Sequence, residues 1–167
     1  MAAQLNPITE FREDHRKVRD LLLDIAEAAE KGELGKARTS LGTLDNLVGP
    51  HFRYEEEALY PKLREFLGEY VDQLVREHDG AIETARTAAK LLSRPSLTRD
   101  EGKAAASAAR GLLVHVTNCD GLNILAERLE KKQLDLLAEK YAASRAAAVP
   151  LLKWADTIRK TKISLEK

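Results

Sequence analysis

The chain has 167 residues, 44% of them hydrophobic and 32% charged, with 27 basic side chains balancing 27 acidic ones. That balance excludes the electrostatic footprint of a nucleic-acid or anionic-membrane binder. The length suits one domain, residues 1–167, burying about 70% of the surface its unfolded chain exposes.

Cys119 is the only cysteine, so no disulfide forms within the chain and a reducing compartment is expected. The N-terminal MAAQLNPITEF shows no basic flank followed by an apolar run, so no signal peptide is expected. No stretch approaches the roughly 18 apolar residues of a membrane span. A soluble cytoplasmic protein is the expectation.

Ala, Leu, Glu, Lys and Arg dominate, and strand-like alternation is missing, so the chain reads as helix throughout. The first helix starts after Asn6-Pro7, turns Phe11, His15, Val18, Leu22 and Ile25 inward, and ends near Lys31-Gly32. The second runs from about Lys36 to Leu67 on a stripe of Leu41, Leu44, Leu47, His51, Glu55 and Leu59. Pro50 should break or restart this helix, Pro61 should bend it, and Gly68 closes it.

The third helix spans about Glu69 to Ser93, with Val71, Leu74, His78 and Ile82 inward. After a loop, Thr98 and Glu101 form a capping-box signature. The fourth helix follows from about Arg99 to Leu129, with Ala108, Leu112, His115 and Leu122 inward. The remainder, residues 131–167, carries Leu134, Leu137, Tyr141, Leu151, Trp154 and Ile158 at helical spacing and a break at Pro150. These patterns predict an all-α protein: an antiparallel up-down-up-down four-helix bundle with an additional C-terminal helix packed on it. That extra helix is placed to cover one groove and control access to the bundle interior, with Trp154 as its anchor.

Each main helix carries one of the four histidines, His15, His51, His78 and His115, within its apolar stripe. Burying four unpaired imidazoles would cost several kcal/mol. Glu55 stands one turn from His51, and Tyr54 shares that inward face. A metal site resolves the cost. Imidazole-rich sites favour iron, copper or zinc over magnesium or calcium, and composition alone does not separate iron from zinc or manganese. The ferritin-type Glu-x-x-His repeat is absent, because Arg12, Val48, Val75 and Leu112 precede the histidines by three.

His15, then His51-x-x-x-Glu55, then His78, then His115-x-x-x-x-Asp120 resembles the hemerythrin-like domain over about residues 8–130, most specifically in HFRYEEEALYPKL. The resemblance implies a four-helix bundle holding two iron ions in an oxo- or hydroxo-bridged centre. It implies that Glu55 and Asp120 bridge the metals and that the histidines cap them.

The chain also departs from the family. Oxygen-carrying members have five histidines, two of them one turn apart on the third helix. Here Leu74 and Ile82 flank His78, leaving the set one imidazole short. On a regular helix Asp120 lies roughly 140° from His115, so its use as a ligand requires a π-bulge between His115 and Gly121. Cys119 aligns better with His115 but reads as a small buried hydrophobe. Glu56, Glu57, Glu13 and Asp14 read as solvated faces, and Tyr60 and Tyr70 as packing or rim residues.

Tyr54 is the candidate that supplies the missing ligand. Its phenolate would favour Fe(III) and suit peroxide turnover over oxygen carriage. The functional expectation is a di-iron oxidoreductase decomposing hydrogen peroxide, with Tyr54 as its catalytic residue. The alternative is reversible binding or sensing of dioxygen or nitric oxide without turnover. A metal store or a structural metal site is the third reading. The expected partner is a small diatomic or peroxide ligand, with no nucleic acid or membrane involved.

Overall fold

The computed structural model describes residues 5–160, and every regular element among them is helical. Helix α1, Pro7–Lys31, opens on Asn6, whose side chain accepts from the N–H groups of Ile8 and Thr9. Pro7 falls in the first turn, where its missing donor is not needed. The helix closes on Gly32, which takes the left-handed conformation at φ 73°.

Helix α2, Leu34–Tyr54, runs straight through Pro50, so the expected break does not occur there. The C-terminal segment docks at that point instead. Ser144 Oγ donates to the Pro50 carbonyl at 2.7 Å. Gly49 admits the crossing chain, because a Cβ there would stand 2.1 Å from the Val149 carbonyl oxygen.

The irregularity falls one turn later. Glu55–Leu59 forms a π-helical turn, in which the Tyr60 N–H bonds back five residues to the Glu55 carbonyl. Pro61 accounts for its position, since proline has no N–H and its ring clashes with a carbonyl four residues back. Widening the turn relieves both. Helix α3, Tyr60–Leu67, then continues to Gly68, and α4 spans Tyr70–Leu92.

The expected fourth helix is divided into α5, Arg99–Gly111, α6, Leu113–Asp120, and α7, Asn123–Ala126. The Thr98–Glu101 capping box opens α5. A tight turn at Leu112, whose N–H reaches the Ala109 carbonyl, shifts the register. Consequently Gly102, Ala106 and Ala109 face inward and Ala108 is exposed, contrary to the sequence pattern. Helix α8, Lys131–Ala147, and α9, Leu151–Thr157, are separated at Pro150 as expected. Residues 161–167 of the anticipated C-terminal segment lie outside the described residues.

Helix α1 packs against α2 and α5, and both α8 and α9 lie on α2. Two apolar clusters result. One gathers Phe11, Tyr54, Tyr60, Leu74 and Tyr141, and the other gathers Val18, Leu22, Phe52, Ile82 and Trp154. The histidines form the layer between them, as the order Phe11, His15, Val18 along α1 and Leu74, His78, Ile82 along α4 shows. Among the described residues no helix is long and apolar enough to cross a membrane.

Candidate metal centre

The π-turn sets the register of the site. On a regular helix Tyr60 would stand roughly 140° from Glu55. The widened turn brings Glu55, Glu56 and Tyr60 all inward, with side chains of Glu55 and Glu56 only 0% and 4% exposed. Tyr60, read from the sequence as packing or rim, places its hydroxyl 3.1 Å from His78 Nε2 and 3.3 Å from Cys119 Sγ. Tyr70 is at the surface, 43% exposed.

Each histidine is held at Nδ1 by a carboxylate. Asp120 Oδ1 lies 3.2 Å from His15, Asp14 Oδ2 3.3 Å from His51, Glu56 Oε1 2.8 Å from His78 and Glu77 Oε2 2.8 Å from His115. These partners assign the proton to Nδ1 in every ring and leave the Nε2 lone pairs facing the interior. Such carboxylate–imidazole pairs orient metal ligands and raise their basicity. Asp14 and Glu56, expected on solvated faces, are thus buried supports of the site.

The Nε2 atoms converge. His15 Nε2 and His51 Nε2 stand 3.1 Å apart. His15, His51 and Glu55 offer ligand atoms within 4.8 Å of one another, and so do Glu55, His115 and Cys119. Glu55 belongs to both groups, and His78 Nε2 lies 3.0 Å from its Oε2. That pair is close but lacks hydrogen-bond geometry, so both Glu55 oxygens are buried without a hydrogen bond. A buried carboxylate without donors and two imidazole lone pairs in contact are both unfavourable arrangements that a cation relieves. The residues present fit a metal.

Electrostatics follow from this packing. Burial, with the neighbouring His51 charge, pulls His15 down to about 4. Burial also lowers His115. For His78 burial acts the same way, but the Glu55 and Glu56 carboxylates outweigh it and raise the ring. Burial would raise Glu55, yet the His51 and His78 imidazoles hold it below the usual carboxylate range. Burial pushes the Tyr60 phenol and the Cys119 thiol well up, so both keep their protons at neutral pH.

Other expected site residues land differently. The predicted bulge between His115 and Gly121 is not there, since α6 is regular to Asp120. The Asp120 side chain is half exposed and engages His15 rather than joining either donor group. Tyr54 is buried, three residues after His51 on α2. It stacks on Tyr141 at 4.0 Å between ring centroids and meets Phe11 edge-on. Burial and the Glu55 charge raise its phenol. Cys119, read as apolar filler, has its sulfur 3.4 Å from His115 Nε2.

The C-terminal helices reach this layer as well. Tyr141 donates to Asp14, and Arg145 Nη2 reaches the same carboxylate at 2.9 Å. Against the penalty of burial, His51, Tyr141 and Arg145 hold Asp14 at about 2. Arg159 binds Glu56 at 2.7 Å and pairs with Asp79.

The family model of the hemerythrin HHE cation binding domain matches residues 6–122, which include all four histidines, Glu55 and the supporting carboxylates. No curated protein and no solved structure matches the chain. The matched stretch ends before α8, so Tyr141, Arg145 and Arg159 lie beyond it. With most of its length matched and its buried donors grouped around Glu55, the chain belongs to the hemerythrin HHE cation-binding family.

Proposed function

We propose that this metal-binding domain, on an antiparallel up-down-up-down frame, holds two irons and decomposes hydrogen peroxide. One observation carries the reading: Glu55 is fully buried, lacks hydrogen bonds and is shared by two donor groups. In this reading His15 and His51 would hold one iron and His78 and His115 the other, with Glu55 within reach of both sets. Asp120 and the other supporting carboxylates fix the imidazoles.

The His78–His115 side already has a phenol and a thiol beside it. On the His15–His51 side the Tyr141 hydroxyl stands 3.0 Å from His51 Nδ1, on the outer nitrogen, and Tyr54, stacked on Tyr141, lies three residues after His51 on α2. We assign Tyr54 as the anionic ligand there. Bound iron would supply the two-electron exchange by which one peroxide is reduced to water while another is oxidised to dioxygen.

The chain's residues do the rest. The apolar clusters exclude water, the carboxylates orient the imidazoles, and Tyr60 Oη keeps a proton beside His78 Nε2. Leu74 and Ile82 flank His78 where oxygen carriers have a further ligand, which disfavours the dioxygen- or nitric oxide-binding alternative.

The test is oxygen evolution from hydrogen peroxide by iron-loaded protein, with iron content and visible spectrum measured alongside. Two irons per chain, a phenolate-to-iron band lost in Tyr54→Phe but kept in Tyr60→Phe, and turnover altered in Tyr54→Phe are expected. A spectrum that cycles reversibly with dioxygen, with no peroxide turnover, would overturn the assignment.

A further inference from the structure

Hydrogen peroxide needs little more room than water, whose share of liquid volume is about 30 Å³. The cavity reaching the imidazoles is far larger, about 320 Å³. An apolar cavity of about 150 Å³ already admits benzene.

One end of the cavity is formed by His15, His51 and His115, and the other by Arg38 and Ser93. Along α2 the thirteen residues from Arg38 to His51 correspond to roughly 20 Å. A volume of this size drawn out over that length has room for an extended hydrocarbon chain. Between its ends the wall is almost wholly apolar, including Leu41, Val48, Leu112 and Leu152. Ala81, Ala85 and Ala89 recur at four-residue spacing on one face of α4, and their small side chains leave the space open. Asp45, the one acid in the wall, is engaged, its Oδ1 accepting from the Leu152 N–H at 3.0 Å. Leu151 and Leu152 of α9 close one side. The extra helix therefore covers a groove, as the sequence pattern suggested.

We propose that this cavity binds a single aliphatic chain, so that the centre acts on long-chain alkyl hydroperoxides, with the hydroperoxide group at the imidazoles and the tail toward Arg38. The inference rests on the peroxide reading above. The reaction balances with hydrogen peroxide as co-reactant, as ROOH + H2O2 → ROH + H2O + O2. The O–O bond of the alkyl hydroperoxide breaks and is reduced to alcohol and water. Hydrogen peroxide supplies the two electrons and two protons and leaves as dioxygen.

The binding step is tested apart from turnover. Calorimetric titration of the full-length protein with the redox-inert series 1-hexanol to 1-decanol should show affinity rising about fourfold per added methylene. Ala85→Phe, which fills the channel, should weaken 1-decanol binding at least tenfold while metal content is retained. Ala89→Leu, one turn further along α4, should also weaken it, so a folding defect in one variant does not decide the matter. Affinity independent of chain length, or unchanged in both folded variants, overturns the cavity as a chain site. Oxygen evolution from hydrogen peroxide alone reports separately. If it fails while 1-decanol still binds, the peroxide centre is wrong and the chain site stands. If it persists while 1-decanol does not bind, only the chain site is wrong.

Discussion

Arg159→Met isolates what the C-terminal segment contributes to the histidine layer. The guanidinium contacts Glu56 through Nε at 3.1 and 3.0 Å and through Nη2 at 2.7 Å, and it pairs with Asp79 through Nη1. The Arg159 side chain is 2% exposed and that of Glu56 4%. Asp79 Oδ2 already lacks a hydrogen bond. Methionine fills similar volume but leaves two adjacent carboxylates without their shared cation. Removing one partner of a buried ion pair costs about 3–5 kcal/mol. At about 2–4 °C per kcal/mol for a chain of this size, the melting temperature should fall by roughly 10 °C. Thermal unfolding of the metal-free protein, followed by circular dichroism at pH 7, measures it. Adding Glu56→Gln to Arg159→Met removes one orphaned charge and should recover part of the loss. A single-variant cost below about 1 kcal/mol, or a double variant whose cost equals the sum of the singles, would refute the shared-cation reasoning.

Stability should also depend on pH through His15, held at about 4 in the fold against about 6.5 unfolded. Between those values the unfolded chain binds the extra proton, so this contribution is intact above pH 6.5 and lost as pH falls through 4, about 3 kcal/mol in all. Urea unfolding of the metal-free protein at pH 7 and pH 4.5 shows the loss. His15→Gln should flatten the dependence, and identical slopes would contradict the assignment. Gly49→Ala forces a Cβ against the Val149 carbonyl and should destabilise by about 1–3 kcal/mol. Gly80→Ala, where a Cβ meets nothing within 4 Å, should instead stabilise by about 0.5–1 kcal/mol. Melting temperatures that move in the same direction for both glycines would count against the close approach at Gly49.

The helical architecture was legible because its signals are local: Asn6-Pro7 at one end of α1, Gly32 at the other, and the Thr98–Glu101 box before α5. The four histidines and Glu55 stood out because polar groups interrupt otherwise apolar stripes. What stayed hidden depended on departures from 3.6 residues per turn. Regular-helix arithmetic turns Tyr60 and Glu56 away from Glu55, and the π-turn before Pro61 brings them in. The same arithmetic kept Asp120 off the His115 face, and there it held, because the bulge formed on α2 and not on α6. Asp14 was missed for another reason. Its partners, His51, Tyr141 and Arg145, are distant in sequence, and no one-helix pattern distinguishes it from solvated Glu13. Pro61 was the available clue, since a proline inside a long helix must distort it somewhere.

The four carboxylate–imidazole pairs form a closed circuit with one direction. Asp14 on α1 holds His51 on α2, and Glu56 on the turn after α2 holds His78 on α4. Glu77 on α4 holds His115 on α6, and Asp120 on α6 returns to His15 on α1. Adjacent letters such as Asp14-His15 and Glu77-His78 look like partners, yet each member works for a different neighbour. No helix is first or last in such a loop. Each of these four helical segments both braces and is braced, and the loop is complete only when all four are in place. The aim of any one imidazole is therefore a property of the whole ring, and disturbance at one helix is passed to the next one round.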